Sequence, residues 1–185
     1  IVGAGEGLTR LRITDPAGGI TCAPNINSDP YCSFGVEHMD IEVNGVIAAL
    51  AINVILPNDG DFTNNFRVNY NNVDIYGING GYFQKGLYEK NVAYAERRRM
   101  RYWGSDANPT ADSGYYAGIA FDLDTQSTAD NPALGLSLEN LFSGLSAHFC
   151  NTGLRIRNFA EGIHLLNSNM AFVRRGVDAE APVGT

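Results

Sequence analysis

The chain has 185 residues, 44% of them hydrophobic, which is enough for one domain with a continuous core and too apolar for a disordered chain. Only 18% are charged and the net charge is −7, which argues against a protein whose main task is holding nucleic-acid phosphates. Its 21 glycines favour a turn-rich β architecture over a helical bundle.

The opening Val2-Gly-Ala-Gly-Glu-Gly-Leu-Thr-Arg-Leu-Arg-Ile13 joins clustered glycines to an alternating stretch. A dinucleotide site needs a helix after its glycines, whereas Leu8 to Ile13 alternates like a strand. A turn with positive φ explains them, and no cofactor is expected. Cys22 and Cys32 could pair across one loop, leaving Cys150 single; three cysteines make no disulfide framework, and reduced thiols are the better reading. No Cys-x-x-Cys or His-x-x-x-His spacing indicates a metal site. The longest apolar run, Val46 to Leu56, is broken by Asn53 and is too short to cross a bilayer, so no membrane insertion is expected. Its β-branched content favours strand over buried helix. Short alternating stretches follow at Val73 to Ile75, Ile119 to Leu123 and Leu154 to Ile156, punctuated by Asn, Gly and Asp. Long loops are expected near 104–116 and 125–133, and no Pro-rich or Ser-rich linker divides the chain, so 1–185 reads as a single domain. Ile1-Val2-Gly3 resembles the middle of a strand and 181–185 carries no cap, so the chain reads as a piece of a longer protein.

An imperfect repeat organises these stretches. Five segments align on Met39, Val73, Met100, Leu141 and Phe159, at steps of 34, 27, 41 and 18 residues. Each is preceded by His38, Asn72, Arg99, Asn140 or Asn158 and by apolar pairs such as Val36 and Phe34, although Ala95 with Arg97 fits that place poorly. A helical repeat does not tolerate unequal steps. A parallel β-solenoid does, because its strands stack about 4.8 Å apart while the outer loops vary. The sequence therefore predicts an all-β solenoid with aliphatic residues stacked inward and Asn72, Asn140 and Asn158 laddered at a bend. The alternative is a β-sandwich or barrel whose generic alternation imitates a repeat.

The opening Val2 to Ile13 and the closing Asn151-Thr-Gly-Leu-Arg-Ile-Arg-Asn-Phe-Ala-Glu-Gly-Ile-His-Leu165 resemble coils of right-handed parallel β-helix proteins of the pectate-lyase-like group. The long loops and Asn-rich turns are most similar to those of bacteriophage tailspikes. The resemblance is one of pattern and covers most of the chain; no catalytic signature of the family can be placed residue by residue. It implies a homotrimeric spike on a virion tail, acting outside the cell at the host surface. Such a spike binds bacterial surface polysaccharide and cleaves it, by hydrolysis or β-elimination. The alternative is a non-catalytic receptor-binding or structural segment.

The repeat also proposes where chemistry sits. With Met39 and Val73 inward, Asp40 and Asp74 point outward from neighbouring coils, and Glu42 shares that face. Carboxylates one coil apart suit the roughly 5 Å spacing of a retaining glycosidase and two coils apart the wider inverting spacing, and stacked like charges raise one pKa as a general acid requires. His38, at the bend, is the candidate acid/base among the histidines. Arg97, Arg99 and Arg101 are expected to share a face with Trp103, where guanidinium forks bind carboxylates and the ring stacks on sugars. Tyr115, beside the long loop, is a further sugar platform. Solvated surface acids and an Arg–Asp network are the competing readings. Asp122 and Asp124 read as solvated acids, with Ca²⁺ binding or membership of the site as lesser options.

Overall fold

The computed structural model describes residues 1–5, 7–23, 33–56, 67–92, 95–104, 117–125, 140–158 and 162–180. These form twelve strands of one sheet and, among the described residues, no helix. The strands are β1 (Arg10–Ile13), β2 (Ile20–Cys22), β3 (Ser33–Asn44), β4 (Ile47–Ile55), β5 (Arg67–Ile78) and β6 (Tyr82–Lys90). They continue with β7 (Glu96–Trp103), β8 (Ile119–Asp124), β9 (Asn140–Ser143), β10 (Ser146–Ile156), β11 (Ile163–Leu166) and β12 (Asn169–Ala179). The Val46 to Leu56 run is thus a strand, as its β-branched residues indicate.

The strand pairings are parallel, and they skip one strand each time: β1-β3-β5-β7 on one path and β2-β4-β6-β8 on the other. The paths meet in β10. Its first residues, Ser146 to His148, pair with Arg101 to Trp103 of β7, and its later residues, Thr152 to Ile156, pair with β8. One strand therefore turns from one side of the molecule to the other, so the sheet is curled. This arrangement is all-β and compatible with a parallel solenoid.

The corners have a backbone cause. His38, Asn72, Arg99 and Asn167 have φ of 55°, 52°, 50° and 49°, and Gly144 has 68°. These five stand at equivalent places in the register, one residue before or beside the paired Met39, Val73 and Met100. A left-handed residue turns the strand and delays the in–out alternation by one step. The interior therefore receives Val36 then Met39, Tyr70 then Val73, and Arg97 then Met100, each pair three residues apart. A second corner carries Asn91 and Asn158 at φ 59° and 58°. Their side-chain amides donate to the carbonyls of Leu56 and Thr125, just past the adjacent strand of the same path, each at 3.0 Å.

Three aligned positions hold, and Leu141 does not. Met39, Val73 and Met100 are paired neighbours and buried. The step to the next layer is 45 residues, not 41: Glu96 pairs with Leu141 and Arg101 with Ser146. Leu145, one residue before Ser146, is the buried residue that continues the column. Leu154 belongs to the other path, paired with Phe121. Phe159, Leu136 and Leu138 lie outside the described residues. Asn140 and Asn158 are consequently not stacked on Asn72; the bend position there is filled by Gly144 and Asn167. At the second corner the column runs Leu56, Asn91, Thr125, Asn158, so the two asparagines are separated by Thr125 and form no Asn-on-Asn ladder. Leu134, Leu136 and Leu138 alternate in the sequence, which is why a 41-residue step also fits the pattern.

Arg97 overturns another expectation. The alternation step puts it inside, with 0% of its surface exposed, so it does not share the face of Arg99, Arg101 and Trp103. Its Nε donates to Glu89 Oε2 at 2.8 Å, its Nη2 pairs with the same carboxylate and donates to Asn140 Oδ1 at 2.9 Å, and its guanidinium lies over the Phe142 ring. Tyr70 completes the cluster, donating to Glu89 Oε1 at 3.1 Å; burial first, then the Glu89 charge, raise its pKa well above 10.

Candidate functional site

Past the first corner, parallel register stacks outward side chains into two rows. The first runs Arg10, Asp40, Asp74, Arg101, Ser146, Asn169. The second runs Arg12, Glu42, Tyr76, Trp103, His148, Ala171. Successive members sit one strand apart, roughly 4.8 Å, so the face is a strip whose chemistry changes from acidic to aromatic along its length.

At the acidic end the carboxylates point away from the core, as the repeat predicts, yet Asp40 and Glu42 are buried. Their cover is β1 and Tyr76. Arg10 Nη1 lies 3.2 Å and Arg12 Nε 2.7 Å from Glu42, while Asp40 is 4.0 Å from Arg10 Nε. Asp40 also accepts hydrogen bonds from Gly7 N–H at 3.1 Å and the Tyr76 hydroxyl at 3.4 Å. That hydroxyl has its pKa pushed up to about 12, by burial first and then by Asp40. Asp74 stands opposite Asp40 and is gripped by the Arg101 fork, Nε donating to Oδ1 at 2.6 Å and Nη2 pairing with Oδ2. The strip thus alternates cation, acid, acid, cation.

At the aromatic end Trp103 remains 44% exposed. Its ring stacks on His148 with centroids 4.6 Å apart and planes 20° apart, and lies 5.4 Å from Phe149, which stacks on the exposed Phe172 at 5.0 Å. Phe149 and Phe172 face outward because both are left-handed corner residues, at φ 54° and 57°. Ser146 Oγ lies 2.6 Å from His148 Nε2. Burial pushes the His148 pKa below the ordinary imidazole value, which keeps the ring neutral at pH 7.

Two grooves border this strip. One, of about 310 Å³, is lined by Asp74, Tyr76, Gly77, Arg101 and Trp103. The other, of about 510 Å³, follows the first corner past His38, Asn72, Arg99, Arg101, Gly144 and Ser146. Arg101 borders both. His38 sits at the wall of the larger groove with Nδ1 held 3.2 Å from the Asn72 side-chain amide. Of the sequence-predicted residues, Asp40, Asp74, Glu42, Arg101 and Trp103 come together on one strip, His38 and Arg99 flank it, Arg97 is interior, and Tyr115 lies outside the described residues.

Ser146, His148 and Tyr76 were not singled out as site residues. Tyr76 could have been found, since it follows Asp74 by two residues. Ser146 and His148 show the same outward spacing of two, but only the 45-residue step brings them opposite Arg101 and Trp103.

A second charged cluster lies on the other path. Asp122 is not a solvated acid: it is 0% exposed and faces Lys85 Nζ at 2.9 Å, Arg155 Nη2 at 2.7 Å and Arg157 Nε at 3.1 Å. Burial raises its pKa, but hydrogen bonds from Arg155 and Lys85 and the charge of Arg157 outweigh it and hold the carboxyl below its usual range. Asp124, also buried, accepts from Tyr88 at 3.0 Å and Asn158 at 2.7 Å. Among the described residues no group of three His, Cys, Asp or Glu side chains is arranged to hold a metal ion, and no helix is long and apolar enough to cross a membrane.

Comparison of the chain with protein families, with curated proteins and with solved structures found no match in any of the three.

Proposed function

We infer that the protein is a polysaccharide-binding segment of a right-handed parallel β-helix spike, similar to a bacteriophage tailspike and assembled as a homotrimer at the host surface. The observation that carries the binding reading is the half-exposed Trp103 beside the Arg101–Asp74 fork, above a groove floored by Tyr76. A sugar ring presents an apolar C–H face to an indole and hydroxyl or carboxylate groups to the fork, and all three features lie within one groove. Trp103→Ala is expected to weaken binding of an acidic surface polysaccharide by about 1–2 kcal/mol, measured by calorimetry. Equal affinity in the variant counts against this groove.

Cleavage by Asp40 and Asp74 is the second reading, favoured by their direct opposition on adjacent strands. Against it stands the arginine already on each carboxylate. New reducing ends after incubation with capsule polysaccharide would support hydrolysis, and an unsaturated uronate chromophore would support elimination. Binding with neither product leaves adhesion.

A further inference from the structure

We propose that Ser146 and His148 form a nucleophile–base pair that hydrolyses small O-acyl esters. Serine is a weak nucleophile unless a neutral base accepts its proton, and the needed geometry is a hydroxyl within hydrogen-bond reach of an imidazole nitrogen. Ser146 Oγ stands 2.6 Å from His148 Nε2. The two residues alternate outward on β10, and this spacing aims both along the same strip. Stacking on Trp103 fixes the plane of the imidazole and so the direction of Nε2. Burial keeps that ring neutral and able to accept a proton.

The hydroxyl borders the 510 Å³ groove, which has room for a short acyl group. Arg99 and Arg101 line the same groove, and Arg101 is the register neighbour of Ser146. Arg101 is held by Asp74, so Arg99 is the cation this groove offers to an acyl oxygen that becomes anionic. Among the described residues no carboxylate is hydrogen-bonded to His148, so these residues supply a dyad without the acid of a triad. That favours an ester, whose alkoxide leaves readily, over an amide.

The steps balance with water as the second reactant. His148 Nε2 takes the Ser146 proton as Oγ bonds to the acyl carbon. The acyl carbon–alkoxy oxygen bond then breaks, and the imidazolium gives its proton to the departing alcohol. Water adds to the acyl-serine, yielding its proton to His148, and the acid leaves as Oγ is reprotonated. If the alcohol is a sugar hydroxyl, the substrate is an O-acylated polysaccharide; that half rests on the glycan reading, whereas the ester chemistry does not.

The test uses the intact protein with a fluorophosphonate probe and with 4-nitrophenyl acetate. The expected result is one covalent adduct, located on Ser146 by peptide mass, together with ester turnover. Turnover should fall by about 100-fold or more in Ser146→Ala, and labelling by a similar factor in His148→Gln. An unlabelled Ser146 in the folded wild-type protein overturns the proposal and needs no variant to fold. Turnover unchanged in Ser146→Ala overturns it as well. Binding of a non-acylated polysaccharide, read through Trp103, is measured separately, so failure of the ester chemistry and failure of the glycan reading give different results.

Discussion

Glu89→Ala is expected to lower the unfolding free energy by about 3–5 kcal/mol, because it leaves Arg97 charged and unmatched in the interior. Arg97 is 0% exposed and Glu89 1%, so water cannot replace the lost partner. The carboxylate receives Nε and Nη2 of Arg97 and the Tyr70 hydroxyl, so its removal orphans Nε and the hydroxyl and leaves Nη2 with Asn140 alone. The pair is not needed for stability as such. A buried ion pair replaced whole by apolar groups of similar volume is often neutral or better, so Glu89→Met combined with Arg97→Met should recover much of the loss. Urea unfolding of the two single variants and the double variant supplies the coupling energy. A single-variant loss below about 1 kcal/mol, the range of an exposed pair, would contradict the buried cluster.

The second large effect belongs to Asp122. Its removal leaves Lys85, Arg155 and Arg157 facing one another across a vacated site. The three cations reach solvent, so the expected loss is smaller than for Glu89, about 2–3 kcal/mol in Asp122→Ala. The pH dependence has a definite sign. The folded carboxyl is held below its ordinary value, so between the two values the unfolded chain binds more protons than the folded one. The stabilisation is fully present above the unfolded value of about 3.9 and is lost as pH falls through the lower folded value. Thermal melts of the wild-type protein across that window should show a falling Tm, with the Asp122 share of the fall absent in Asp122→Asn. The same pH profile in both proteins would contradict the assignment.

The sequence showed the repeat wherever chemistry and length cooperated. Steps of 34 and 27 residues placed Met39, Val73 and Met100 in one column because left-handed His38, Asn72 and Arg99 fix the spacing before them. The column was lost after Met100, where Leu136, Leu138 and Leu141 imitate in sequence the alternation of the earlier segments. Aligning Gly144 with Asn72 as left-handed residues would have recovered it, since glycine and asparagine tolerate positive φ best. Arg97 was misplaced for the opposite reason: charge suggested surface, while position in the repeat put it opposite Tyr70 in the interior. Its partner Glu89 lies on the other path, and no local pattern links the two. The outward strip was legible as far as Asp40, Asp74, Arg101 and Trp103, but the arginines that cover Asp40 and Glu42 come from β1, outside the aligned segments.

Trp103 is the only tryptophan in the chain, so its fluorescence reports the proposed binding face without a label. Titrating the intact protein with acidic bacterial surface polysaccharides should give a saturable change in emission as a sugar ring replaces water over the indole. The same titration should show protection of the indole from a soluble quencher. Polysaccharide that binds the protein while the emission and quenching of Trp103 stay constant would contradict the glycan-binding strip.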